Sequence, residues 1–178
     1  STIYHLAGLF RGEIPDDFIP YLTKKGKVGI DAQGLLRCRE EGKLLFKDWA
    51  SKKELLPLIS YLKTDAAEAE ILTGEADREK AAYILASWGA KEVMITHNTE
   101  VIVLVDGKIH RAPFTPSNLS GRTGRGDTTF AAYLAWRLDH DPEESVHYAA
   151  ALCSIKMESP GPFADTVEDV ITRMEEDW

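Results

Sequence analysis

Ser120 to Leu138, SGRTGRGDTTFAAYLAWRL, is the stretch whose residue types and spacing could do chemistry. A glycine-rich turn, Gly121 to Gly126, runs into an acid, Asp127, and then into an amphipathic run. Phe130, Ala131, Leu134 and Leu138 recur at helical spacing, which predicts a helix beginning at or near Asp127. Glycines ahead of a helix let the backbone approach a ligand closely. The N–H groups of the first turn and the helix dipole then favour an anion there, and phosphate is the anion that suits. A carboxylate at the mouth of such a site repels a resting phosphate. Asp127 therefore needs a task of its own, and taking a proton from an attacking hydroxyl is the one that fits.

Other readings of the turn are weaker. Gly121 and Gly126 followed by Thr128 come within one residue of the nucleotide-binding pattern GxxxxGK[ST], but Asp127 stands where the lysine belongs and reverses the charge offered to a phosphate. The turn also lies late in the chain, so a Walker-type NTPase is rejected. Arg125-Gly126-Asp127 matches a cell-adhesion tripeptide, but three residues match often by chance and an Asp at a helix start is poorly placed for that role. A plain glycine loop before a helix is the structural alternative.

The elements that must position this turn alternate along the chain. Thr2–Leu6 is a short apolar strand, 14–25 reads as a helix with Pro15 at its start and Gly26 as its stop, and Lys27–Asp31 is the next strand. Strand, helix, strand at this spacing is a βαβ unit and implies a parallel sheet. Asp31, Gln33 and Arg37 sit where that strand ends, the place where open α/β sheets bind ligands; a polar turn leading to a hairpin through Glu41-Gly42 is the alternative. A short helix is expected over 51–59 with Ser51 as its cap, a strand over 58–63, and a helix over 65–72 capped by Asp65 and stopped by Gly74. Glu68 stands one turn from Asp65, and two carboxylates on one helical face can hold Mg²⁺ through water or can simply cap the helix. Asp77–Trp88 reads as a helix, Lys91–Thr96 as a strand, and Asp106-Gly107 as the turn of a hairpin. Thr96, His97 and Asn98 lie at the strand end. Helices over 142–157 and 166–174 flank the rigid turn SPGPF. The polar clusters at 31–37, 63–68, 96–98 and 121–127 all fall at strand ends or helix starts, which a parallel sheet would gather on one edge. No internal repeat or linker interrupts residues 1–178, which read as a single domain.

Composition bounds the function. Acidic residues outnumber basic ones 29 to 21 for a formal charge of −8, which argues against a nucleic-acid partner. Hydrophobic residues make up 44% and no apolar run reaches membrane-spanning length. Cys38 and Cys153 are far apart, form no metal-ligand spacing and fit a reducing, cytoplasmic setting.

With these residues in place, the chain resembles the PfkB, or ribokinase-like, carbohydrate kinases. TGRGDTTFAAYLA resembles the GAGD signature of that family, LKTDAAEAEILTG its K-x-N-x-x-E-x-x-x-L-x-G stretch, GIDAQGLLR its D-x-N-x-x-R region, and EVMITHN with VIVLVDGKIHRAP its strand and hairpin. AAALCSIKMESPGPF resembles its late helix and glycine turn. The resemblance implies an α/β three-layer sandwich, with a mostly parallel central sheet and helices on both faces. It further implies transfer of the γ-phosphate of ATP to a hydroxyl of a sugar or similar small alcohol. Asp127 would be the general base. Backbone amides of Gly124, Arg125, Gly126 and Asp127 would form the anion hole. Glu68 and Asp65 would organise Mg²⁺; Thr96, Asn98, Gly126 and Gly161 would border the nucleotide; Asp31, Gln33 and Arg37 would face the acceptor. A homodimer is compatible with the resemblance.

The departures from the family pattern matter as much. Arg125 replaces a small residue and adds a cation at the turn. Gly121 stands where an Asp linked to monovalent-cation binding is usual, which argues against potassium activation. Asp65, Gln33 and Asn98 replace two asparagines and a glycine, and Ala150 falls where an Asn or His often meets the nucleotide. These changes support a rival reading, a kinase-like binding or structural module without catalysis. STIYHLAGLF reads as a strand already under way, so the chain is expected to begin inside a larger fold and to lack the lid and most sugar contacts. On that expectation the 178 residues alone bind nucleotide weakly and do not phosphorylate sugars.

Overall fold

The structure, a computed structural model, describes residues 2–121 and 123–178; Ser1 and Arg122, the latter inside the glycine-rich turn, lie outside the described residues. The chain opens with β1 (Ile3–Leu6), α1 (Phe18–Thr23), β2 (Lys27–Asp31), α2 (Gln33–Leu36) and the strands β3 (Arg37–Glu40) and β4 (Lys43–Phe46). Next come α3 (Lys52–Leu55), a 3₁₀ turn over Leu56–Leu58, β5 (Tyr61–Asp65), α4 (Ala66–Thr73), α5 (Arg78–Ser87) and β6 (Glu92–Thr96). The hairpin β7 (Glu100–Val105) and β8 (Lys108–Pro113) leads to α6 (Arg125–Arg137), α7 (Pro142–Met157) and α8 (Val167–Asp177).

A six-stranded sheet runs β1-β2-β5-β6-β7-β8, and β3 pairs with β4 in a separate two-stranded sheet. β1 and β2 are parallel, as are β2 and β5, in a register that sets Asp31 beside Lys63. The fold is α/β with a mostly parallel central sheet, as the alternating pattern predicts. Its interior strands are apolar along their length because they are covered on both sides: Val28 and Ile30 of β2, Val93 and Ile95 of β6, and Val101 and Val103 of β7 have no measurable exposure. By its contacts the chain divides into two compact units. The first comprises the residues up to Ile95 with Leu104–Ile109, and the second Thr96–Val103 with His110–Trp178.

Several expected elements differ in extent. The helix expected over 14–25 covers only Phe18–Thr23. The Phe18 amide bonds the Pro15 carbonyl three residues back, a turn rather than a helical rung. The helix expected over 51–59 is four residues of α3 followed by the 3₁₀ turn, because Pro57 cannot donate to a helical ladder. Ser51 does not cap it; its hydroxyl donates to Asp16 at 2.6 Å. β5 starts three residues later than expected and reaches Asp65. The polar turn considered after Asp31 is the short helix α2, beyond which the antiparallel β3–β4 hairpin turns at Glu41 and Gly42, both at positive φ.

Within the second unit α6 packs along α7, and Trp136 stacks on Tyr148 with ring centroids 3.9 Å apart. α8 is held by a capping box at Thr166 and Asp169, and Trp178 beyond it stacks on His147. Among the described residues no helix is long and apolar enough to cross a membrane, and Cys38 and Cys153 are free thiols.

Candidate active site

In the second unit, α6 begins two residues earlier than its apolar periodicity suggests. Gly124 is its N-cap, at φ +80, and the first helical bond runs from the Thr128 amide to the Gly124 carbonyl at 3.0 Å. Few residues other than glycine adopt that left-handed backbone. Glycine brings no side chain to cap the helix, so the first-turn N–H groups of Gly124, Arg125, Gly126 and Asp127 keep no intrahelical partner. The residues expected to form an anion hole are thus successive positions at one helix start. Asp127 lies in that first turn, exposed, and its carboxylate has no hydrogen-bond or ion-pair partner among the described residues.

A cavity of about 440 Å³ opens here, lined by Thr123, Gly124, Asp127, Thr128, Lys156 and Gly161 among others. Gly161, at φ +90, faces it from the turn after α7. Asn98 is tied to the same helix start: the Arg125 guanidinium donates to its side-chain oxygen at 3.2 Å. Thr96 is buried at the end of β6. Ala150 is buried inside α7, and its carbonyl accepts from Ser154.

The turn is held from behind by the C-terminal end of α7. The Gly121 amide donates to the Met157 carbonyl, the Ser120 hydroxyl to the Glu158 carbonyl, and the Ser117 amide to the Glu158 carboxylate. That carboxylate also takes a bond from Arg173 at 2.9 Å, and hydrogen bonds from Arg173 and Ser117 hold it below the usual carboxylate range although burial pushes the other way. Gly121 is sterically obligatory: a Cβ there would lie 1.6 Å from the Ser159 carbonyl oxygen. Lys156 Nζ donates to the carbonyls of Gly121, at 2.6 Å, and Thr123.

The first unit gathers a second set. Asp31 ends β2 and Lys63 lies beside it on β5, with Nζ 3.3 Å from Asp31 Oδ2; Asp31 Oδ1 accepts the Gln33 amide at 3.0 Å. Asp65 and Glu68 form a reciprocal capping box at the start of α4: Asp65 Oδ1 accepts the Glu68 amide and Glu68 Oε1 accepts the Asp65 amide. Glu68 is buried, and that burial, with the neighbouring Asp65 charge, pushes its pKa up to about 7. Burial works against the Lys63 ammonium, but Asp31 and Glu68 more than offset it and raise its pKa. Arg37 has its guanidinium 5.1 Å over the Phe10 ring and a buried Nε with no hydrogen-bond partner among the described residues.

The structure therefore brings 124–127, Asn98 and Gly161 together in one unit, and Asp31, Asp65 and Glu68 in the other. Sequence reasoning gave neither buried lysine a role. Lys63 was visible as the second residue of LKTD, inside the 63–68 cluster; the signal for Lys156 was its spacing, three and seven residues after Cys153 and Ala149 on the face expected to be buried.

The architecture is that of ribokinase-like proteins. An Arabidopsis thaliana ribokinase complexed with ribose and ATP shares the fold, with a TM-score of 0.78 at 23% identity over 97% of this chain and 55% of that one. The chain belongs to the pfkB family of carbohydrate kinases, whose family model matches residues 35–169. A pyrophosphate-dependent kinase of the ribokinase family, complexed with a pyrophosphate analog and myo-inositol, is 39% identical, with a TM-score of 0.89 over 97% of this chain and 63% of that one. A cytidine kinase from Thermococcus kodakarensis is 31% identical over 86 residues, 47% of this chain and 31% of its own length. The chain thus spans less than two thirds of each of these relatives.

Proposed function

We propose that this chain is the base-bearing and phosphate-site portion of a kinase that transfers a phosphoryl group to a hydroxyl of a sugar or related small alcohol. The observation that carries this is Asp127: an exposed carboxylate, without a partner among the described residues, in the first turn of a helix that no side chain caps, on the wall of a cavity that also holds a lysine. Asp127 accepts the proton of the acceptor hydroxyl as its oxygen attacks phosphorus, while the 124–127 amides stabilise the charge on the transferring group. In a loose transition state the proton leaves late, so an ordinary carboxylate is basic enough.

Asp31, Gln33 and Arg37 are assigned to the acceptor. Mg²⁺ would be held, through water, by the carboxylate oxygens of Asp65 and Glu68 that the capping box does not use. Mg²⁺ usually takes one or two carboxylates and completes its shell with water and phosphate. Mg²⁺ would supply charge neutralisation of the donor phosphates.

ATP is the donor that the family resemblance implies, with Thr96, Asn98, Gly126 and Gly161 along the nucleotide. Inorganic pyrophosphate is the second reading, and the Arg125–Asn98 bond favours it. That bond engages a residue expected to border the nucleotide, and it holds a guanidinium at the phosphate turn. The experiment is a donor-by-acceptor matrix on the full-length protein. ATP and pyrophosphate are tested against sugars, myo-inositol and nucleosides, with Asp127→Asn alongside. Acceptor-dependent product from wild type, lost in Asp127→Asn, supports the reading. Donor binding with no product from any pair would establish the catalytically silent module instead.

A further inference from the structure

Two observations about the glycine turn have no part in the base mechanism. Lys156 is only 6% exposed, in the last turn of α7, and its ammonium is bound by the backbone carbonyls of Gly121 and Thr123. Among the described residues it has no carboxylate partner. A lysine ammonium carries three donors and no acceptor. Two are used on carbonyl oxygens, and the third remains for the cavity that Lys156 lines. The second observation is Gly121. With the Ser159 carbonyl 1.6 Å from where a Cβ would stand, no acidic side chain can enter the turn at this position. Among the described residues, the partners the turn gives the Lys156 ammonium are neutral carbonyl dipoles, which solvate its charge without pairing it.

Carbonyl oxygens gathered around a buried positive charge are the coordination that protein backbones offer to alkali-metal ions. Lys156 presents the same charge on a covalent stem. We propose that Lys156 is a tethered cation that takes the place of a diffusible monovalent cation at the phosphate turn. Its structural effect follows from peptide planarity. In a trans peptide the C=O and the following N–H point in opposite directions, so holding the Thr123 carbonyl on Nζ fixes the direction of the Gly124 N–H. That N–H is among those the helix leaves unbonded. Its electrostatic effect is a positive charge beside the cavity with no carboxylate bonded to it among the described residues, next to which Gly124 leaves space: a Cβ there would be 4.0 Å from Nζ. Lys156 is thus a positioning residue for the anion hole. The consequence for turnover rests on the phosphotransfer reading; the cation replacement itself does not.

The test uses full-length wild type, Lys156→Ala and Lys156→Gln at constant ionic strength in tetramethylammonium, potassium, ammonium or methylammonium chloride. The two readouts are the thermal midpoint and, with the active donor–acceptor pair, kcat and KM. Wild type is expected to be the same in every salt. Lys156→Ala is expected to lose midpoint and about tenfold in turnover in tetramethylammonium chloride, and to regain most of both in potassium, ammonium or methylammonium, which fit the vacated carbonyls. Lys156→Gln keeps the stem without the charge, loses the same turnover, and is not rescued because its amide fills the site. Selective activation or stabilisation of wild type by potassium overturns the proposal. So does an Ala variant that matches wild type without a small cation, or one that no cation restores. Variants that stay unfolded in every salt count with the unrescued ones. If wild type turns over no pair, the phosphotransfer reading fails, and the thermal midpoints still decide the cation.

Discussion

Each unit of the molecule buries one lysine, Lys63 at 4% exposure and Lys156 at 6%, and the two are compensated in opposite ways. Lys63 faces Asp31 and is surrounded by Glu68 and Asp65, so its charge is cancelled locally and acidic groups remain in excess. Among the described residues Lys156 bonds carbonyl oxygens and no carboxylate, so its charge is solvated but not paired. A buried ammonium against a carboxylate makes a rigid, locally neutral pair; against dipoles it makes a source of positive potential. The first arrangement suits a place that must order a strand end and tolerate a cation. The second suits a place that receives an anion.

The largest effect that would sharpen this contrast lies at the turn. Asp127→Asn is expected to lower kcat by about 10²- to 10⁴-fold while leaving donor affinity unchanged or tighter, because it removes the proton acceptor and a negative charge beside the anion site. Steady-state kinetics with separate donor titration checks both halves. A variant that retains wild-type kcat removes Asp127 as the base.

The lysines themselves give the next effect. Lys63→Met removes the ammonium that faces the buried Asp31 carboxylate and is expected to cost about 3–5 kcal/mol of stability, whereas Lys156→Met leaves two carbonyls that water can satisfy and costs about 1–3 kcal/mol. Urea denaturation of both variants orders them; the reverse order would break the comparison.

The pH dependence separates the units further. The folded-state pKa of Glu68 is raised to about 7, so between its unfolded value and pH 7 the folded chain holds a proton that the unfolded chain has released. Its contribution therefore makes stability fall as pH rises through that window. Glu68→Gln is expected to flatten the fall, measured by denaturant titration between pH 4.5 and 8 without Mg²⁺. Lys63, whose folded pKa is raised above 10.5, works at the other end: its stabilisation is present below 10.5 and is lost as pH rises through the folded value. An unchanged slope in Glu68→Gln would show that another group titrates. The smallest effect is at Arg125. Arg125→Ala is expected to raise the donor KM about tenfold with little change in kcat, by removing a cation from the turn. Unchanged kinetics would leave Arg125 a structural task, its contacts with Asn98 and Phe114.

Much of the molecule was legible in the chain. α7 has the ends that its apolar face, Val146, Ala149, Ala150 and Cys153, predicts, and the structure adds Asp141 as its cap, accepting the Glu144 amide. α4 was read from Asp65 and Gly74, and the β7–β8 hairpin from Asp106-Gly107. These are local signals, settled within a few residues. Boundaries set by packing rather than by caps were misplaced. The start of β5 depends on where β2 lies beside it, and α1 begins only at Phe18, beyond Pro15, although its apolar spacing runs longer.

The sequence by itself determined the elements, their parallel arrangement and the pairing of a glycine turn with an acid, because dihedral preferences, caps and hydrophobic period act over short stretches. Only the tertiary structure decided what surrounds that turn. Gly121 must be glycine because of a carbonyl at residue 159, and Lys156 grips carbonyls some thirty-five residues earlier in the chain. Such contacts are made by atoms distant in sequence, and no local pattern encodes which of the buried lysines will find a carboxylate and which will find only the backbone.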